Sequence, residues 1–217
     1  MRERQQTLVN AITGLVRATG SVTVDGVPLR LGRPGAAAKL GVRRTYQTPR
    51  VHGELTGVAN VCTGHRSHRG RTAADALVRR HRAAAVERQR VVGARGALDR
   101  VNGARAADVV GAAMSYGQRR LVELARVLVA EPRVLLLDEP AAGLNDGETA
   151  ALRTLIRELT GEGLAILLID HKMSLLNGVC DRLVVSEEGR KLHEGNPVDV
   201  WADERVRAAY IGGGRHA

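Results

Sequence analysis

The sequence predicts an α/β fold in which a parallel sheet forms the core and a helical subdomain is inserted. Two observations carry that expectation. "RVLLLDEP" and "LAILLIDH" are continuous apolar runs joined by a helical segment from about Glu148 to Leu159, the pattern of strands buried on both faces. Between about Asn60 and Ala130 the chain is rich in Ala and Arg and broken by Gly93, Gly96, Gly103 and Gly111, which predicts several helices with short interruptions. The expected division is a single domain with its α/β core in 1–65 and 131–217 and its helical subdomain in 66–130.

Each remaining element has its own reason. Leu8, Ala11, Ile12, Leu15 and Val16 recur at helical spacing, and Gly20 follows as a stop. "SVTVDGVPLRL" alternates around Asp25-Gly26, a hairpin signal. "RPGAAAKLGV" reads as a turn and a short helix, and "RRTYQTPRVHGELT" as a polar, Pro-broken loop. In "SYGQRRLVELARVLVA", Leu121, Leu124, Ala125 and Leu128 line one face of a helix behind a Ser-led start. "DRLVVSEEGRKLHEG" predicts a hairpin around Glu188-Gly189, followed by a helix from Pro197 to about Tyr210.

Composition narrows the function classes. A chain of 217 residues with 44% hydrophobic content can bury a real core. No run of about 18 apolar residues occurs and the start is charged, so a cytosolic protein is expected. The formal charge of +10 comes mostly from Arg, densest between Arg66 and Arg105. A nucleic-acid patch and a solvated basic face both fit that excess; with 2% aromatics, no Phe and no recognition motif, no nucleic-acid partner is expected. Cys62 and Cys180 lie far apart and predict buried structural thiols, without a zinc site or disulfide framework.

The chemistry gathers where the buried runs end. In open α/β sheets ligands sit outside the carboxyl ends of the strands, and those ends carry Asp138-Glu139 and Asp170-His171. A carboxylate pair there can hold a hydrated Mg²⁺ with one acid and polarise a water with the other. A lone pair would more simply be a capping acid. Here it is accompanied by "SYGQRR", where a Ser hydroxyl, a Gly and the N–H groups of a helix start form an anion site, and by Gln47 in an upstream loop.

With those residues in that order, the sequence resembles the nucleotide-binding subunits of ABC transporters from Thr7 to Gly212. "MSYGQRRLVELARVL" is similar to the signature motif and its helix, "VLLLDEPAAGLN" to the Walker B strand and D-loop, "LLIDH" to the switch histidine and "RRTYQ" to the Q-loop. "SYGQ", "EPAAGLN", "GELTGVANV" and "AAYIG" resemble the branch that powers branched-chain amino acid importers. The resemblance implies a P-loop NTPase (RecA-like) core, an ATP hydrolase activity, and ATP and Mg²⁺ as cofactors. It makes Glu139 the catalytic base, Asp138 a Mg²⁺ partner, Gln47 a sensor near Mg²⁺, and His171 the group that holds the γ-phosphate. Ser115, Tyr116, Gly117 and Gln118 would serve the nucleotide of an opposite subunit in a homodimer or heterodimer. Membrane permease subunits would be the other partners, keeping the chain at the cytoplasmic face. Tyr46, Met114 and Lys172 depart from the branch, the last placing a cation beside the switch.

One part of the pattern is missing. A phosphate-binding loop reads G-x-x-x-x-G-K-[ST], with backbone N–H groups wrapping the phosphates and Lys reaching the outer ones. Placing the family's "GKTTL" here puts Arg4, Gln5 and Gln6 at the Gly, Lys and hydroxyl positions, and only Thr7 and Leu8 match. Thr7 is therefore a degenerate Walker A end and "MRERQQ" stands in the loop's place. Losing three charge-assisted hydrogen bonds costs on the order of 5 kcal/mol, roughly a thousandfold in affinity. The resemblance also puts the family's first strands before Met1, so N-terminal strands are missing, the runs around Leu135 and Ile166 should be exposed, and the fold should be marginal. The abrupt failure of the match fits a misplaced start, a frameshift or a cut gene better than gradual loss. The alternative is a non-catalytic interaction or regulatory remnant that keeps the dimer and transporter surfaces.

Overall fold

The computed structural model describes residues 2–33, 35–65 and 80–212. At its centre is a three-stranded parallel sheet, β3 (Val42–Arg44), β4 (Val134–Asp138) and β5 (Ala165–Ile169), in that spatial order. Val42 lies opposite Val134, and Leu136 opposite Leu167; β4 and β5 end level at Asp138 and Ile169, while β3 ends at Arg44, opposite Leu136. The strands described also form two small antiparallel hairpins: β1 (Thr23–Val24) with β2 (Val27–Pro28), and β6 (Leu183–Glu187) with β7 (Arg190–Gly195). The Asp25-Gly26 turn takes φ of 50° and 75°, the left-handed pair of a tight hairpin.

The first helix differs from its expected extent at both ends. Helix α1 covers Arg2–Ile12, so residues 2–6 continue the helix and do not form a loop ahead of it. It stops at Gly14, not Gly20. Gly14 adopts φ 77°, its N–H donates to Ala11 O at 3.1 Å, and Leu15 N–H reaches back to Asn10 O at 2.8 Å, which closes a Schellman end. The buried face is consequently centred on Val9, while Leu8 and Leu15 are 52% and 57% exposed.

Helix α2 (Ala36–Lys39) follows as expected, and β3 takes Arg43 and Arg44 out of the segment read as loop. The helical side holds α3 (Gly57–Cys62), α4 (Arg80–Arg100), two short 3₁₀ turns at Ala104–Ala106 and Gly111–Ala113, and α5 (Tyr116–Leu128). Gly93 and Gly96 do not interrupt α4. A helical Gly costs only about 1 kcal/mol, and at Gly93 the His65 ring packs where a side chain would stand. Residues 66–79 of the expected subdomain lie outside the described residues.

Helix α6 (Asp146–Gly161) connects β4 to β5, opened by a capping box between Asn145 and Glu148. After β5 come α7 (Met173–Val179), the β6–β7 hairpin turning at Glu188-Gly189, and two helices where one was expected, α8 (Pro197–Ala202) and α9 (Glu204–Gly212). Asp203 makes the break: it is extended at φ −67°, ψ 123°, and its carboxylate accepts the Arg205 N–H at 2.8 Å.

The sheet is buried unevenly. Leu135, Leu136 and Leu137 of β4 are no more than 1% exposed, so the expected exposure around Leu135 is wrong: β3 and β5 flank β4, and helices cover its faces. β5 is only half-buried, and no strand pairs with its outer edge among the described residues. Its odd-numbered residues face β4, as in Ala165 N–H to Arg133 O at 3.3 Å, which turns the backbone of Ile166 and Leu168 to the open side. The two cysteines are half-buried rather than buried; both are free thiols, and burial pushes both pKa values up.

Candidate functional site

Parallel strands bring the residues after their carboxyl ends to one rim, and the sequence-marked groups arrive there. β4 delivers Asp138 and Glu139, the segment after β3 delivers Gln47, and the segment after β5 delivers His171. Gln47 Nε2 donates to Glu139 Oε2 at 2.8 Å. Asp138 is 2% exposed, and burial raises its pKa; Arg44 lowers it and the neighbouring Glu139 raises it again. Glu139 itself holds φ 45°, a left-handed backbone that costs a non-Gly residue about 1–3 kcal/mol. That conformation is fixed by Glu139 N–H to Ile169 O at 2.7 Å and by Arg120 Nη2 to Glu139 O at 2.9 Å.

The acids have partners that sequence reading passed over. Arg44 Nη2 lies 3.7 Å from Asp138 Oδ2, while its Nη1 donates to Asn10 Oδ1 at 2.7 Å and Thr13 Oγ1 at 3.2 Å. Tyr46 stands between two guanidinium groups, with Arg44 and Arg50 at 4.7 and 4.0 Å from its ring centroid. Arg120 and Glu123, at i and i+3 on α5, form a buried pair at 3.1 Å; burial raises the Glu123 pKa, against hydrogen bonds from Arg50 and Tyr46 N–H and the charges of Arg120 and Arg126. The available signal was a charged pair spaced along the same helix as an apolar face.

His171 has a 57% exposed side chain with Nδ1 3.9 Å from Asp170 Oδ1. Asp170 is the local anchor: its carboxylate accepts from the N–H groups of Ala141, His171 and Lys172 at 3.1, 2.7 and 2.8 Å. Lys172 donates through Nζ to Leu144 O at 3.0 Å and Thr149 Oγ1 at 3.1 Å. The switch segment and the loop after Glu139 are thereby joined twice.

Ser115 caps α5 as expected, through a capping box with Gln118: Ser115 Oγ accepts the Gln118 N–H at 3.2 Å and Gln118 Oε1 accepts the Ser115 N–H at 2.9 Å. This uses two groups counted as anion donors and leaves the N–H groups of Tyr116 and Gly117 as those without a partner among the described residues. Tyr116 OH donates to Gln47 O at 3.3 Å, and its ring packs on Gly143, where a Cβ would lie 3.1 Å from the ring edge and the φ of 74° itself disfavours a side chain. Thr7 lies beyond the first turn of α1, away from the amides that a helix start would offer.

The family model described as "ABC transporter" matches residues 6–142. The chain belongs to the ABC transporter family. It is 35% identical over 209 residues to the high-affinity branched-chain amino acid transport ATP-binding protein BraF of Pseudomonas aeruginosa, covering 95% of this chain and 82% of that one. To the corresponding protein LivG of Escherichia coli K12 it is 33% identical over 208 residues, with the same coverage. Among solved structures, a nucleotide-free ATP-binding cassette of an ABC transporter superposes with a TM-score of 0.79 at 26% identity, covering 96% of this chain and 83% of that one. A cassette in its ADP conformation gives 0.77 at 27% identity with the same coverage. The fold is therefore the P-loop NTPase α/β fold of ABC cassettes.

An ABC cassette handles Mg²⁺ and a nucleotide, and the residues of this chain fit that load only in part. A triphosphate asks for consecutive backbone N–H groups and a lysine. The first glycine in the chain is Gly14 and the first lysine Lys39, and Gly14 closes the carbonyl end of α1. For the cation, Asp138 is present but paired with Arg44, and no group of three or more His, Cys, Asp or Glu is placed to hold a metal among the described residues. The acid-bearing rim at the strand ends is assembled; among the described residues no phosphate cradle accompanies it.

Proposed function

We propose that the chain is the ATP-binding subunit of an importer for branched-chain amino acids. The observation that carries this is the 2.8 Å bond between Gln47 and Glu139 beside buried Asp138, at the carboxyl ends of a parallel sheet. The names of the relatives BraF and LivG support the substrate class. In this reading Glu139 is the base, Asp138 the Mg²⁺ partner, Gln47 the sensor and His171 the γ-phosphate group. The chain's cassette is one α/β core of 1–65 and 131–217 with its helical subdomain in 66–130. It works as a dimer, same or mixed, on membrane permease subunits; among the described residues no helix is long and apolar enough to cross a membrane itself.

The reading includes impaired binding: the 217-residue chain by itself takes up Mg-ATP weakly. Support comes from Arg4, Gln5 and Gln6, which stand where the family's Gly, Lys and hydroxyl residue would, and from the Arg44–Asp138 pair. The test is a mixed dimer. A homologous cassette with an intact phosphate loop but a disabled signature motif should regain ATP turnover when this chain supplies Ser115 and Gly117, and not when Gly117 is replaced by Asp. In parallel, calorimetry on the chain alone should show no low-micromolar Mg-ATP site. Absence of rescue would remove the catalytic-subunit reading in favour of a non-catalytic remnant, and a tight site on the isolated chain would remove the impairment.

A further inference from the structure

Arg120 is buried to 4% exposure in a chain whose excess arginine lies mostly at the surface. Its Nη1 donates to Tyr46 O at 2.6 Å and to Glu123 Oε2 at 3.1 Å, and its Nη2 to Gln47 O at 3.2 Å and Glu139 O at 2.9 Å. Glu123 Oε1 meanwhile accepts the N–H groups of Tyr46 and Arg50 at 3.3 and 3.2 Å. One planar fork thus spans three structures: helix α5, the loop after β3 and the end of β4.

Two of the carbonyls it holds belong to Gln47 and Glu139, the residues whose side chains bond to each other. The third belongs to Tyr46, next to Gln47. Glu139 is also the residue with φ 45°, a backbone that persists only where its surroundings over-determine it. A buried ion pair is a weak source of stability, and an apolar pair of similar volume often does as well. Bidentate geometry toward fixed acceptors is what Arg adds and neither Lys nor an apolar side chain can.

We propose that Arg120 is a positioning residue for the acid: clamped by Glu123, it sets the Gln47 and Glu139 backbones so that carboxamide and carboxylate meet. Its functional meaning rests on the reading of Gln47 and Glu139 as the hydrolytic pair, but the geometry is open to a direct test. In nitrogen NMR of the 217-residue chain, the Gln47 carboxamide should exchange about tenfold or more slowly than an exposed one, as for a bond to a charged acceptor. The Arg120 Nη signals should be separate, because a held fork does not rotate freely. Arg120→Lys keeps a cation for Glu123 but cannot reach three carbonyls; Gln47 protection should fall to the exposed level while α5 backbone amides keep theirs.

Retained Gln47 protection in Arg120→Lys overturns the proposal. Averaged Nη signals in the wild-type chain also overturn it, and that measurement decides the matter if the variant fails to fold. Failure of the hydrolytic reading would look different: no rescue in the mixed dimer, with these NMR signals intact.

Discussion

The acid end of β4 and the first helix belong to the same cassette yet are built on opposite terms. Around β4, Asp138, Glu139, Arg120 and Glu123 are all under 9% exposed and tied to named partners. Along α1 and the turn after it, Thr7, Leu8 and Leu15 face solvent, and Asn10 and Thr13 hold Arg44 of the site. In a P-loop protein the two regions grip the same ligand from two sides. Here one side is assembled by buried polar bonds that need no nucleotide, whereas among the described residues the other is a helix without a backbone nest.

The largest effect should come from breaking the assembled side. Glu123→Ala strands the Arg120 guanidinium in the interior and removes the acceptor for the Tyr46 and Arg50 amides. Removing one partner of a buried pair costs about 3–5 kcal/mol, and in a domain of this size each kcal/mol moves Tm by about 2–4 °C. Thermal melts should therefore drop on the order of 10 °C. A loss of a degree or two would mean that Arg120 finds other partners and that the two regions are less unlike than their burial suggests.

Asp138→Asn should act with the opposite sign. Burial raises the Asp138 pKa above its ordinary value of 3.8, so the folded state holds its proton more tightly than the unfolded chain. Stability from that proton is fully present below the unfolded value and is lost as pH rises through the folded one. The wild-type Tm should fall as pH climbs from the ordinary carboxylate range, with buried Glu123 adding in the same direction. Asp138→Asn should flatten part of that slope and melt a few degrees higher at neutral pH. A variant with an unchanged slope would show Arg44 neutralising Asp138 more fully than its 3.7 Å distance implies.

The contrast also explains what could be read from the chain alone. β4, β5, the two hairpins and α5 were legible because each is written in a local code: apolar runs, Asp25-Gly26, Glu188-Gly189, and a Ser115–Gln118 capping box. Glu139 and Gln47 were legible because motif order carries them. Arg44 and Arg120 were not, since each acts on carbonyls and carboxylates far along the chain, and no spacing rule announces such a meeting. The helix stops failed for a different reason. Gly93 and Gly96 look like breaks but lie inside the packed helix α4, while Gly14 ends α1 because two backbone bonds close around it.

The smallest expected effect tests the open side. Helical spacing groups Leu8 with Ala11, Ile12 and Leu15 as one apolar face, and on that reading Leu15→Ser would cut into the core and cost about 2–5 kcal/mol. The structure ends α1 at Ile12 and gives the interior to Val9, which is fully buried, leaving Leu15 57% exposed beyond the Schellman turn. Leu15 contributes its N–H to Asn10 O, a bond that Ser makes equally well. Leu15→Ser should therefore stay within about 0.5 kcal/mol of wild type, as surface changes do, with Tm almost unmoved. A drop of several degrees would put Leu15 against something apolar and restore to α1 the longer reach that its sequence suggests, narrowing its difference from the β4 rim.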